Sequence, residues 1–201
     1  MYEPLLKTKF YPPPLPSNHV RRPHLIQELN TGIQRKLTLI SAPAGFGKTI
    51  LVSEWVEAQK EPIAWLSLDP QDDDSVRFWI CFISALQNVY PQIGRVVLES
   101  LASGQSKIME HSITSLINEI AQTGERTVLV LDDFHHIKSA DVQETFQFLL
   151  DHQPPNFHLF VASRYDPPWD THLLRSRQEM AEIRRQGEQK LSNLRFLRLQ
   201  I

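Results

Sequence analysis

The segment Ala42-Pro43-Ala44-Gly45-Phe46-Gly47-Lys48-Thr49 holds the groups needed to grip a polyphosphate. Gly45 and Gly47 let the backbone approach phosphate oxygens with no side chain in the way. Successive N–H groups of such a loop form an anion-binding concavity, and a helix opening behind it adds its positive end. Lys48 then reaches the β- and γ-phosphates, and the Thr49 hydroxyl ligates Mg²⁺. The loop follows an apolar run, Leu37-Thr-Leu-Ile40, and precedes an amphipathic one carrying Leu51, Val52, Trp55 and Val56. Strand, glycine-bearing loop, Lys-Thr and helix together make the layout of a P-loop. The common pattern begins with Gly where this chain has Ala42.

A second constellation lies downstream. Thr127-Val-Leu-Val-Leu131 is fit for a strand buried on both faces of a parallel sheet, and it ends in Asp132-Asp133. A carboxylate at that place beside a P-loop holds Mg²⁺. Asp132 is the magnesium candidate, through water, and Asp133 is placed to orient or deprotonate an attacking water. An ordinary strand-end turn also favours Asp; the P-loop upstream decides for magnesium. Arg164 follows another apolar run, Phe157 to Ala162. In a parallel sheet that end faces the same crevice, so its guanidinium is a candidate sensor of the γ-phosphate. The competing assignment is a surface arginine paired with Asp166 or Asp170.

The elements that must position these groups alternate. Strands are expected at 36–42, 62–68, 127–132 and 157–162, with a weak one at 180–183. Helices are expected from Pro23 to about Asn30, from the P-loop to about Gln59, after the Asp72-Asp73-Asp74 triplet, at 110–122, at 139–151 and, short, at 171–177. Residues 91–106 read as irregular. The expected fold is therefore α/β, a three-layer P-loop NTPase with a mainly parallel sheet of about five strands flanked by helices. The acidic triplet reads as a capped, solvated turn rather than a metal site, with Asp74 or Ser75 capping. His135 and His136 are adjacent, so their side chains are expected to diverge and to serve packing rather than zinc. Trp55, Trp65 and Trp79 fall in core elements, whereas Trp169 falls in a loop and is expected at the surface.

Composition narrows the function. At 201 residues, 41% apolar and 22% charged, the chain suits one domain of ordinary size with appendages. A net charge of −2 supplies no global field for nucleic acid or an anionic membrane. The single cysteine, Cys81, excludes an internal disulfide and fits a reducing cytoplasm. No apolar run has membrane-spanning length. Residues 1–20, with Pro4, Pro12, Pro13, Pro14 and Pro16, read as a proline-rich extended arm. Residues 21–183 form the expected ATPase domain. Residues 184–201 read as a basic tail, with Arg184, Arg185, Lys190, Arg195 and Arg198 against Glu188.

Taken together these segments resemble the N-terminal ATPase domain of MalT-like, LuxR-type transcription regulators, within the signal-transduction ATPases with numerous domains. The resemblance rests on Leu5-Leu-Lys-Thr-Lys9, Val20-Arg-Arg-Pro-His-Leu25, Leu37 to Thr49, Trp65-Leu-Ser-Leu-Asp69, Leu129-Val-Leu-Asp-Asp-Phe-His135 and Val161-Ala-Ser-Arg164. The Ala-Pro-Ala-Gly-Phe-Gly-Lys-Thr form is usual in that family, which accounts for Ala42. The resemblance implies ATP and ADP as ligands with Mg²⁺ as cofactor. It implies Ala42 to Ile50 as the phosphate loop, Arg22 in the segment flanking the adenine, Lys48 and Thr49 as the P-loop pair, Asp132 as the magnesium carboxylate, Asp133 as the second acidic position and Arg164 as phosphate sensor. Ile50 stands where the family usually has Thr. The implied behaviour is an ADP-bound resting monomer, self-association on ATP binding and slow hydrolysis that resets the switch. The family's sensor and DNA-binding domains are not matched after Phe196, so no sequence-specific DNA binding and no membrane association are expected of this chain alone. The alternatives are a stand-alone P-loop phosphotransferase, for which Arg175 and Arg177 are the hints of a lid, and a non-catalytic interaction remnant.

Overall fold

In the computed structural model, which describes residues 5–102 and 110–184, the apolar runs form five strands. They are β1 (Leu37–Ser41), β2 (Ala64–Ser67), β3 (Thr127–Asp132), β4 (Phe157–Ser163) and β5 (Met180–Arg184). Every pairing is parallel, in the order β2-β3-β4-β1-β5. The helices are α1 (Pro23–Gly32), α2 (Lys48–Glu57), α3 (Ser75–Gln87), α4 (Arg95–Ala102), α5 (Glu110–Gln122), α6 (Ala140–His152) and α7 (His172–Ser176). The fold is a five-stranded, all-parallel α/β sheet flanked by helices.

The period-two alternation of a strand sorts side chains onto two faces. Leu37 and Leu39, Ala64 and Leu66, Leu129 and Leu131, and Phe157, Leu159 and Val161 face one core with α3, α5 and α6. Ile40, Trp65, Val128 and Val130, and Phe160 and Ala162 face the other with α1 and α2. The first core is rich in aromatics: Phe78, Trp79, Phe82 and Phe146 make mutual ring contacts at 5.0–6.5 Å. On the second face Trp55 packs on Phe160 at 4.3 Å, and its Nε1 donates to Asn30 Oδ1 at 2.8 Å, which fastens α2 to α1. Trp55, Trp65 and Trp79 are fully buried, as expected.

Several expectations need correction. Within the stretch read as irregular lies α4, with Val97 and Leu101 buried in the core. It starts after Gly94, whose φ of +71° makes the turn and whose N–H donates to Glu119 Oε2 at 2.6 Å on α5. That anchor is 25 residues away, so local periodicity could not reveal it. Trp169 is buried rather than exposed: it stacks on Phe146 with centroids 4.8 Å apart, and its Nε1 donates to Gln143 Oε1 at 2.7 Å. His135 and His136 do not diverge; a 3-10 turn over Phe134–His136 brings their rings to 4.2 Å.

Each aspartate of the acidic triplet has its own structural task. Asp74 accepts the Arg77 N–H at the start of α3. Asp73 accepts the backbone N–H groups of Lys138 and Ser139, at 2.5 and 2.7 Å, ahead of α6. Asp72 is fully buried, contacts Lys9 and Arg77, and completes a capping box with Asp69. Lys9 thereby fastens the N-terminal arm, where Lys7–Phe10 is a 3-10 turn with Phe10 buried. Arg184, read as the first residue of the basic tail, is the last residue of β5 and chelates Asp166 at 2.8 and 2.7 Å. The rest of that tail, 185–201, lies outside the described residues.

Candidate functional site

The registers decide which strand ends meet. β4 lies between β1 and β3, with Ser41 opposite Ser163 and Leu131 opposite Val161. The residues that follow are therefore neighbours at one edge of the sheet: Ala42 after β1, Asp132 at the end of β3 and Arg164 after β4. A crevice outside the carboxyl ends of parallel strands is where such sheets take ligands.

Between Ala42 and Lys48 the loop is largely exposed, while Lys48 itself is buried at the first turn of α2. Gly45 and Gly47 have φ of +82° and +73°, a conformation that costs an L-residue energy and leaves Gly the natural choice. Lys48 Nζ donates to the carbonyls of Ala42 at 2.7 Å and Pro43 at 3.2 Å. Burial lowers its pKa, against the opposing pull of Asp133 and Asp132. Arg22, just ahead of α1, donates to the Phe46 carbonyl at 2.8 Å and clasps the tip of the loop.

Asp132 is buried, and its Oδ1 has no hydrogen-bond partner. Its pKa is pushed up to about 6, first by burial and then by Asp133, with the Thr49 hydroxyl and Lys48 pulling the other way. A buried oxygen of this kind requires a reason. A hard divalent cation taking oxygen ligands supplies one, and Thr49 lies beside it. The residues present therefore fit Mg²⁺. Asp133 is half-exposed and holds an αL backbone, φ +55° and ψ +37°, uncommon for a residue with a side chain. Arg164 is exposed and close enough to Lys48 and His135 to lower the pKa of each, after burial in both cases. Asp166 is engaged by Arg184 rather than by Arg164, and Asp170 accepts from the His172 N–H at 3.0 Å.

A cleft of about 460 Å³ opens beside the loop, lined by Arg22, Leu25, Ile40, Phe46, Lys48 and Ile183 among others. Its size is that of a small-ligand site. Leu25 and Ile183 give it apolar walls, and sequence reasoning did not single them out. Ile183 is placed there by the pairing of β5 with β1, which sets it against Ile40 and leaves no local signal in the sequence. Ile50 lines a smaller hollow with His19, Val20 and Glu54. A larger hollow, about 640 Å³, runs between α1 and β5 and includes neither Lys48 nor Asp132.

The chain matches known proteins in sequence and in fold. The AAA ATPase domain family is matched over residues 23–162. The HTH-type transcriptional regulator MalT of Serratia proteamaculans (strain 568) is 34% identical over 190 residues, which cover 94% of this chain and 20% of that protein. The chain thus spans about a fifth of the length of this relative. Among solved structures, Cdc6p of Pyrobaculum aerophilum superposes with a TM-score of 0.56 at 17% identity, covering 90% of this chain and 49% of the other. A Signal Transduction ATPase with Numerous Domains protein with a tetratricopeptide repeat sensor, from Pyrococcus horikoshii, gives 0.50 at 15% identity over 85% of this chain and 24% of that one. The last two are likenesses of fold. The family match spans well over half of the chain, so the chain belongs to the AAA ATPase domain family.

Proposed function

We propose that this chain is a nucleotide switch: it holds ADP or ATP with magnesium in the crevice beside β1 and hydrolyses ATP slowly. The observation that carries this reading is the buried, unpartnered Oδ1 of Asp132 beside Thr49, at the end of the strand whose neighbour β4 adjoins the P-loop strand. Lys48 releases the carbonyls of Ala42 and Pro43 and takes phosphate oxygens instead. Thr49 and Asp132 hold magnesium, which when bound neutralises charge on the phosphates. The backbone from Ala42 to Ile50 cradles the phosphates. Arg22, Leu25 and Ile183 form the wall against which the base and sugar rest. Asp133 orients the attacking water and takes its proton, later released to solvent; as the water oxygen bonds to the γ-phosphorus, the bond to the β,γ-bridging oxygen breaks and ADP leaves with that oxygen. Arg164 reports whether the γ-phosphate is present.

The similarity to a MalT regulator supports placing this module in a transcription regulator, with ATP binding coupled to self-association and DNA recognition left to other parts of such a protein. The phosphotransferase alternative loses support because Arg175, a candidate lid residue, is engaged by Glu182 at 2.8 Å. The test is magnesium-dependent phosphate release. Wild type should liberate inorganic phosphate from ATP, and Asp133→Asn should bind nucleotide while releasing it at least tenfold more slowly. Transfer of the γ-phosphoryl group to an added small-molecule acceptor, in place of release to water, would overturn the reading.

A further inference from the structure

His135 is buried with 6% of its side chain exposed, yet neither ring nitrogen has a hydrogen-bond partner. Two unsatisfied nitrogens on one buried ring are costly unless something engages them at another stage. Its Nδ1 stands 3.6 Å from Oδ1 of Asp133, just beyond hydrogen-bond reach. Two neighbouring rings hold the imidazole, and one of them also holds its backbone. It packs on His136 at 4.2 Å and meets the edge of Tyr165 at 6.2 Å, and the Tyr165 hydroxyl donates to the His135 carbonyl at 2.7 Å. The backbone supplies an independent observation. Asp133 takes the αL conformation and the chain then turns through Phe134–His136, so residue 135 is folded back toward the carboxylate two positions earlier. Backbone strain of this kind collects at functional sites.

We propose that His135 is a positioning residue for Asp133: its Nδ1–H closes onto Oδ1 and fixes the carboxylate, leaving Oδ2 to accept the attacking water. This rests on the ATPase reading above. His135 touches neither nucleotide nor water and acts through Asp133. The tautomer required is the neutral one with the proton on Nδ1; burial, His136 and Arg164 lower the ring's pKa, against the opposing pull of Asp133.

Two arms of one experiment test this in the full 201-residue chain. In ¹⁵N NMR of labelled imidazoles with Mg-ADP present, His135 should show the Nδ1–H tautomer, and Asp133→Ala should shift it toward a mixture. In single-turnover hydrolysis, His135→Phe should slow the step at least tenfold with ADP affinity within twofold of wild type. His135→Asn, which restores a side-chain N–H, should recover part of the rate. The double variant with Asp133→Asn should be no slower than Asp133→Asn alone. Multiplicative losses in the double variant, an unslowed His135→Phe, or a tautomer indifferent to Asp133→Ala would each overturn the proposal. If wild type hydrolyses nothing, the ATPase reading fails, and the tautomer arm still decides the pairing of His135 with Asp133. If His135→Phe does not fold, the Asn variant and the spectra decide it.

Discussion

Lys48 Nζ donates to the carbonyl of Ala42 at 2.7 Å, so the loop's cation is held by the first residue of the loop that presents it. The arrangement keeps a largely buried ammonium hydrogen-bonded until phosphate oxygens replace the carbonyls. Under the proposed function Lys48 serves the ligand rather than the core, so Lys48→Ala should cost the ligand-free fold little. The expected loss is about 1 kcal/mol, the net worth of a hydrogen bond or two. Urea denaturation without nucleotide checks it; a loss above about 3 kcal/mol would make Lys48 a structural residue.

Asp132 carries the opposite trade. Its folded pKa of about 6 lies above the ordinary carboxylate value, so the fold binds the proton more tightly than the unfolded chain. Ionisation therefore costs stability as pH rises from about 4 to about 6, and the full penalty persists above that range. Asp132→Asn should thus stabilise the ligand-free protein at pH 8 by about 2–3 kcal/mol and change little at pH 4. The same variant should lose the extra stability that magnesium adds to nucleotide binding. Thermal melts at the two pH values, with and without Mg-ADP, read both effects.

His158 provides a pH dependence away from the site. Its ring is fully buried, contacts the Arg35 carbonyl through Nδ1 and the Thr38 hydroxyl through Nε2 at 3.1 Å, and has its pKa pressed down to about 4 by burial. The folded pKa lies below the unfolded one, so the unfolded chain gains protons first as pH falls. Stability should decline between about pH 6.5 and pH 4, by about 3 kcal/mol. His158→Phe should remove that part of the slope. Denaturant midpoints of both proteins across the window give the difference.

Much of this site was legible in the sequence because its parts are local. The P-loop is contiguous, and the Asp132-Asp133 pair ends a run that alternates between two buried faces. The strand order was not legible: that β4 separates β1 from β3 depends on the pairing of β1 with β4, more than a hundred residues apart. The same holds for the wall formed by Ile183. Trp169, α4 and the adjoining rings of His135 and His136 were misread for one shared reason. Gln143, Glu119 and the turn beginning at Asp133 fix them, and none of these leaves a periodic trace in the sequence.

The N-terminal arm tests whether a distant anchor matters. Lys9 contacts the fully buried Asp72 and reaches Asp69 at 3.0 Å. Lys9→Met would leave the Asp72 charge poorly compensated, and the cost of breaking a buried pair is about 3 kcal/mol. For a chain of this size that corresponds to a fall in Tm of roughly 6–12 °C. An unchanged Tm would mean that Arg77 alone suffices for Asp72.

Calorimetric titration of Mg-ADP into wild type and Lys48→Ala, paired with their melting curves, tests the central claim most directly. Wild type should bind one equivalent, and at a hundredfold excess over Kd it should gain about 2.7 kcal/mol of stability. Lys48→Ala should remain folded and show neither the heat nor the gain. Equal binding by both proteins would contradict the assignment of this loop as the nucleotide site.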